Sequence, residues 1–340
     1  MTLDAAAAAA LIPPAFAELV RPRPPEEGPS GADWLEALPG RIAELLEEWR
    51  LEPSGAPRHG ACALVLPVAG PQLSAGAVLK LGWPHAESAV EHLALRRWGG
   101  DGAVRLLRAD PARGALLLER LADEDLAELW DEDACEVVAG LCRRLHVAPI
   151  PQAPRLSAWA RRQDAGLEAL QGRRDGPRLP PRMVAHARAL IRELAADPGC
   201  DAVLLHGDLH YGNVLRRGSD WVAIDPKPMA GHPAFEVLPM LVNRVAEMGD
   251  GAGFRYLLRR RLEVLCDAAG IEPELARDWS IVRETVNALW AAEEGRAGEA
   301  RIGLAGHQGA RGLIRRRAAG CPLGSARRHV KSASAALEPP

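Results

Sequence analysis

Apolar side chains at Trp34, Leu35, Leu38, Ile42, Leu45, Leu46 and Trp49 return every three or four positions, the spacing of one face of an α-helix. The period then changes. ACALVLPV (61–68) and GAVLKLG (76–82) are short apolar runs separated by Gly70, Pro71 and Ser74, which predicts two paired strands across a turn. Pro84 opens an expected helix running to Trp98, with Glu87 and Glu91 four apart on one face and Gly99-Gly100 as its stop. AVRLLRA (103–109) and GALLLERL (114–121), joined through Asp110, Pro111, Ala112 and Arg113, read as a further hairpin. A small antiparallel sheet of four or five strands is the expected product.

Beyond Asp123 the pattern is helical as far as about Ala196, with three segments carrying apolar residues at three-to-four spacing. Strands return briefly at AVLL (202–205), NVLR (213–216) and WVAI (221–224), and three helical stretches follow between Ala234 and Glu294. Strands first and helices afterwards predict an α+β fold of two lobes with a cleft between them, not alternating βαβ units. The expected organisation is an Ala/Pro-rich extension over 1–31, a sheet lobe over 32–121, a helical lobe over 122–300, and a basic, unstructured tail over 301–340.

Composition narrows the function. The chain has 340 residues, 48% hydrophobic and 26% charged, with a net charge of -3, so it has core enough for two lobes and no basic field for a nucleic-acid backbone. No apolar run reaches the roughly 18 residues of a membrane span, and a cytoplasmic protein with neither nucleic-acid nor membrane partner is expected. Its six cysteines form no CxxC pair, which fits reduced, buried thiols. Of the 42 basic residues only Lys80, Lys227 and Lys331 are lysine, leaving 39 arginines. A compact ammonium at 80 and 227, in a chain that otherwise writes arginine, asks for a chemical reason.

The richest stretch is VLLHGDLHYGNVLRRGSDWVAIDPKP (203–228). It sets His206, Asp208 and Asn213 on a loop in the form HxDxxxxN, then Asp225 at the end of a hairpin strand. Phosphoryl transfer needs this set: one carboxylate beside the attacking hydroxyl, here Asp208, and an amide oxygen plus a second carboxylate, Asn213 and Asp225, on Mg2+. Lys80 sits mid-strand among apolar residues, where an ammonium is costly without an anionic partner. Nucleotide phosphates and a glutamate of the following helix would supply one; Glu91 and Glu87 both qualify, with Glu91 preferred. The strand end at Glu119 to Leu121 is the expected place for adenine. A competing zinc or iron site would use His206, Asp208 and His210 with His232, but leaves Asn213, Asp225 and the upstream sheet without a role.

At these motifs the chain resembles the aminoglycoside phosphotransferases, in the branch of streptomycin 6-phosphotransferase and hydroxyurea phosphotransferase. HGACALVLPV, VLKLGWP, LLLERL, LLHGDLHYGNVL, AIDPKP and ALWAAEEG carry the likeness over roughly 32–295. It implies a protein-kinase-like fold, ATP and Mg2+ as cofactors, and a small hydroxylated acceptor bound in the helical lobe. Asp208 would be the catalytic aspartate, Asn213 and Asp225 the metal ligands, and Lys80 the phosphate contact. Glu236 stands where such kinases carry aspartate, which questions the bracing of the loop, and the last forty residues have no counterpart. The expected activity is phosphorylation of an antibiotic-like hydroxyl such as the 6-OH of streptomycin. Hydroxyurea or another metabolite is the alternative acceptor, and a silent nucleotide-binding module the alternative class. For a guanidinium-bearing acceptor, Glu236, Glu284, Glu293 and Glu294 with Trp279 and Trp290 are candidate contacts, and at least one of Glu293 and Glu294 is expected to face the cleft and contact the cation.

Overall fold

The computed structural model describes residues 4–172, 179–244, 247–248 and 251–293. The 301–340 tail and Glu294 lie outside them. Two short helices, α1 (Ala5–Ala9) and α2 (Pro14–Val20), precede α3 (Gly31–Trp49), whose Ser30 cap accepts the Asp33 N–H at 3.2 Å. Six strands follow: β1 (Glu52–Pro53), β2 (Arg58–His59), β3 (Ala63–Ala69), β4 (Ala77–Gly82), then, after α4 (Glu91–Trp98), β5 (Leu106–Asp110) and β6 (Ala115–Glu119). They form one antiparallel sheet ordered β1-β3-β4-β6-β5, with β2 paired to β3.

Alternation along the strands decides what faces the cleft. Ala77, Leu79 and Leu81 of β4 and Ala115 and Leu117 of β6 pack with Trp34, Leu38, Ile42 and Leu45 of α3. Val78, Leu116 and Leu118 turn the other way, into the core of the helical lobe. Lys80 shares the Val78 face, so its ammonium points away from Leu79 and Leu81 and towards the second lobe. The first two helices join the same sheet-lobe core: Phe16 and Val20 are fully buried, and Phe16 meets Trp34 edge to face at 6.1 Å.

The helix expected from Pro84 starts later. Residues Ala86–Ser88 make a single 3-10 turn, in which the Ser88 hydroxyl donates to the His85 carbonyl at 2.9 Å, and α4 begins only at Glu91. Glu87 and Glu91 therefore do not share a helical face. Glu91 is buried and Glu87 is exposed.

The helical lobe contains α5 (Asp131–Leu145), α6 (Leu156–Gly172) and α7 (Pro181–Leu194), then strands β7 (Val203–Leu205), β8 (Val214–Arg217), β9 (Asp220–Ala223) and β10 (Met229–Gly231). Helices α8 (Leu238–Val242), α9 (Gly251–Ala269) and α10 (Pro273–Glu293) complete it. Strand β10, which has no clear sequence signal, pairs antiparallel with β7 and thereby closes residues 206–228 into one loop. The β8–β9 hairpin is nested inside that loop. It is tied to the crossing between lobes by Val104 N–H to the Ala223 carbonyl at 2.8 Å and Ala122 N–H to the Arg216 carbonyl at 3.1 Å.

Because Phe16 fills the sheet-lobe core, Phe16→Ala should cost about 3–5 kcal/mol. Chemical denaturation measures it; an unchanged midpoint would show that α2 is only laid on the surface.

Candidate active site

A cavity of about 960 Å³ opens between the lobes and is lined by Lys80, Glu91, Asp208, Asn213, Asp225 and Lys227 among others. Lys80 Nζ lies 2.6 and 2.8 Å from the two Glu91 oxygens and 2.5 Å from Asp225 Oδ1. The lysine on β4, the first turn of α4 and the end of β9 thus meet at one ammonium. Burial favours loss of its proton, but the carboxylates of Glu91 and Asp225 outweigh that and hold it above the ordinary lysine range. Burial likewise opposes charge on Asp225, and Lys80 beside it keeps the carboxyl below its usual value. Of the two glutamates open in the sequence, the structure gives Glu91 to Lys80 and Glu87 to Lys227, at 3.4 Å.

Asp225 is one of few non-glycine residues with positive φ, at 55°. This sharp bend after β9 aims its side chain into the cleft, over the sheet lobe's lysine. Asn213 ends a 3-10 turn, Tyr211–Asn213, and its Nδ2 donates to the Asp208 carbonyl at 2.9 Å. Held by its nitrogen, the amide presents its oxygen at the opposite end. An amide oxygen and a carboxylate lining one cavity fit Mg2+, a hard cation that takes few protein ligands and keeps the rest of its shell from water and phosphate.

The loop carrying Asp208 is braced from behind. Glu236, 1% exposed, accepts the N–H groups of His206 and Gly207 at 2.7 and 2.8 Å. The substitution of glutamate for the expected aspartate therefore leaves the bracing in place. It also removes Glu236 from the candidate acceptor contacts, since its carboxylate faces inward. Gly207, at φ +87°, must stay glycine: a Cβ there would lie 2.2 Å from the Lys227 carbonyl. His206 Nε2–H donates to the Ile224 carbonyl at 3.0 Å while Nδ1 accepts the Asp208 N–H at 3.3 Å.

The alternative metal cluster loses its ligands to such local bonds. His210 Nδ1 accepts from Gly212 N–H and His232 Nδ1 from Ala234 N–H. Among the described residues no three histidine, cysteine or acidic side chains gather as a metal site, and no helix is long and apolar enough to cross a membrane.

Glu119 stands apart from the cavity. Its N–H donates to the Arg105 carbonyl at 3.0 Å, and its carboxylate accepts from Arg105 N–H at 2.7 Å and Arg217 at 3.1 Å. Its side chain fastens the β8–β9 hairpin to the sheet. Of the acceptor candidates, Glu284 and Trp279 are buried in the helical lobe, Glu293 is exposed and does not line the cavity, and Trp290, 38% exposed, does line it. Sequence reasoning missed Arg23, Glu26 and Glu27, which line the cavity from the segment between α2 and α3. The Pro/Glu/Gly composition of that segment gave no sign of it.

Removing the Glu236 carboxylate orphans two buried N–H donors at about 1–3 kcal/mol each. Glu236→Ala should destabilise by about 3 kcal/mol or more, and Glu236→Gln, with one acceptor oxygen, by roughly half of that; equal loss in both, by denaturant titration, would contradict the shared-acceptor geometry. Burial also lowers the pKa of His206, His210 and His232 below the ordinary 6.5. Protons then bind the unfolded chain first, so stability is full above pH 6.5 and falls as pH drops below it. Melting temperature recorded across pH 7.5 to 5 checks that sign.

The profile of the family described as aminoglycoside/hydroxyurea antibiotic resistance kinase matches residues 48–295. A hydroxyurea phosphotransferase of Kitasatospora aureofaciens is 43% identical over 289 residues, covering 82% of this chain and 80% of that protein. A streptomycin 6-kinase of Streptomyces glaucescens is 37% identical over 278 residues, covering 79% and 88%. In fold, the chain is similar to an aminoglycoside phosphotransferase, APH(4)-Ia, in a thermostable mutant form, with 16% identity, a TM-score of 0.54, and 80% and 98% of the two chains covered. It is equally similar to the choline kinase LicA of Streptococcus pneumoniae, with 14% identity, a TM-score of 0.54, and 80% and 97% covered. The two-lobed α+β architecture is thus the protein-kinase-like fold, and the chain belongs to the aminoglycoside/hydroxyurea antibiotic resistance kinase family.

Proposed function

We propose that the protein transfers the γ-phosphoryl group of ATP to a hydroxyl of a small molecule, with an aminoglycoside such as streptomycin, at its 6-OH, as acceptor. The observation that carries this reading is the convergence of Lys80, Glu91, Asp208, Asn213 and Asp225 on one cavity between the lobes, in a chain of this family. Asp208 takes the proton of the attacking hydroxyl as its oxygen bonds to the γ-phosphorus. The bond from that phosphorus to the β–γ bridging oxygen breaks, and ADP leaves with the electron pair. Lys80, oriented by Glu91, contacts the nucleotide's phosphates. Asn213 and Asp225 hold Mg2+, which when bound neutralises phosphate charge. Glu119 serves by fastening the hairpin that carries Asp225.

Hydroxyurea is the second acceptor to test, because the relative of that name reaches 43% identity. Mass detection of phosphorylated product with streptomycin, hydroxyurea and a panel of metabolite alcohols separates the acceptors.

Asp208→Ala should lower turnover by about 10² to 10⁴ with nucleotide affinity nearly intact, the scale of one positioned base. Asp225→Ala should instead weaken Mg-dependent nucleotide binding. Full turnover in Asp208→Ala, or support of activity by zinc in place of magnesium, would sink the assignment.

A further inference from the structure

Lys227 is the second lysine in a chain of arginines, and none of the roles above uses it. Its backbone is fixed: the N–H donates to the His206 carbonyl at 2.8 Å, and its own carbonyl abuts Gly207 so closely that no Cβ fits between them. Its side chain reaches into the cavity. It is 42% exposed in the cavity, with Nζ 3.2 Å from Asp208 Oδ2 and 3.4 Å from Glu87 Oε2.

Charge and chemistry then restrict what this ammonium does. The cavity wall carries six carboxylates (Glu26, Glu27, Glu87, Glu91, Asp208 and Asp225) against three cations, Arg23, Lys80 and Lys227. Lys80 is engaged twice over, by Glu91 and Asp225. A nucleotide triphosphate adds several further negative charges, and Lys227 is the lining lysine nearest the base that faces the acceptor. While paired to Asp208, it occupies the carboxylate that the attacking hydroxyl must reach. An exchange of partner, from Asp208 to the incoming terminal phosphoryl group, frees the base and neutralises the charge that grows on the phosphoryl oxygens in the transition state. A point charge on a flexible four-carbon stem can make that move; a guanidinium fork in the same place binds the carboxylate in two-point fashion and is slow to release it.

Resting on the phosphotransfer reading, we propose that Lys227 is a catalytic residue whose ammonium leaves Asp208 to bind the γ-phosphoryl group of the nucleotide. Its signature is selectivity for the third phosphate. Titration of the full-length protein with Mg-ADP and with Mg-AMP-PNP, wild type against Lys227→Met, should show AMP-PNP affinity reduced about tenfold or more, the scale of one ionic contact at 1.4 kcal/mol per tenfold. ADP affinity should stay within about twofold, and turnover should fall about 10² to 10³, as for one lost transition-state donor. Lys227→Gln, which keeps a polar head, serves if the methionine variant does not fold, and it should show the same selective loss.

Equal loss of both nucleotides would make Lys227 a structural strap between Glu87 and the Asp208 loop, and loss of neither would place it outside the reaction; either result overturns the proposal. The two readings fail separately. A wild-type protein that binds neither nucleotide would remove the phosphotransfer reading itself. A wild type that transfers phosphate beside a Lys227 variant of unaltered AMP-PNP to ADP preference would remove only the role of Lys227.

Discussion

One buried ammonium sets the relation between the lobes. Taking Lys80 out of water costs several kcal/mol, and only close, well-aimed carboxylates offset it. They come from different parts of the chain: Glu91 from the first turn of α4 and Asp225 from the bend after β9, 145 residues beyond Lys80. The position of α4 on the sheet and the approach of the β8–β9 hairpin to it are therefore the same electrostatic requirement seen from two sides. Two carboxylates on one ammonium also leave an excess negative charge at the mouth of the cleft.

The second constraint is backbone accounting. Residues 206–228 form a long loop at the interior end of the cleft, and such a loop must satisfy its own N–H groups. It does so through Glu236, through the β7–β10 pair that closes it, and through the hairpin nested within it. This bracing fixes the backbone that carries Asp208, Asn213 and Lys227, while the tips of Asp208 and Lys227 line the cavity. Glu119 and Arg217 extend the same bracing into the sheet lobe, so the two lobes share supports as well as a site.

The two-lobed fold and the family were legible in the sequence, because both depend on local information. Helical and strand periods are written in neighbouring residues, and HxDxxxxN with a following hairpin aspartate fits few chemistries other than phosphoryl transfer. Lysine scarcity marked Lys80 and Lys227 by composition alone. What tertiary structure decided were partnerships, which depend on distance in space. Glu87 and Glu91 both qualify on paper, with Glu91 preferred, and the late start of α4 after the Ser88 turn sends Glu91 to Lys80 and Glu87 to Lys227. Glu236 and Glu284 were candidate acceptor contacts until burial turned them inward, and the Glu119 side chain is committed to Arg105 and Arg217. The segment between α2 and α3 has no periodicity to betray a role, yet the packing of Phe16 and Val20 fixes the helix before it and brings Glu26 and Glu27 to the cavity wall. Residue types and spacing fix which chemistry a chain can perform; which copy of a residue type performs it follows from burial and from the geometry of contacts distant in sequence.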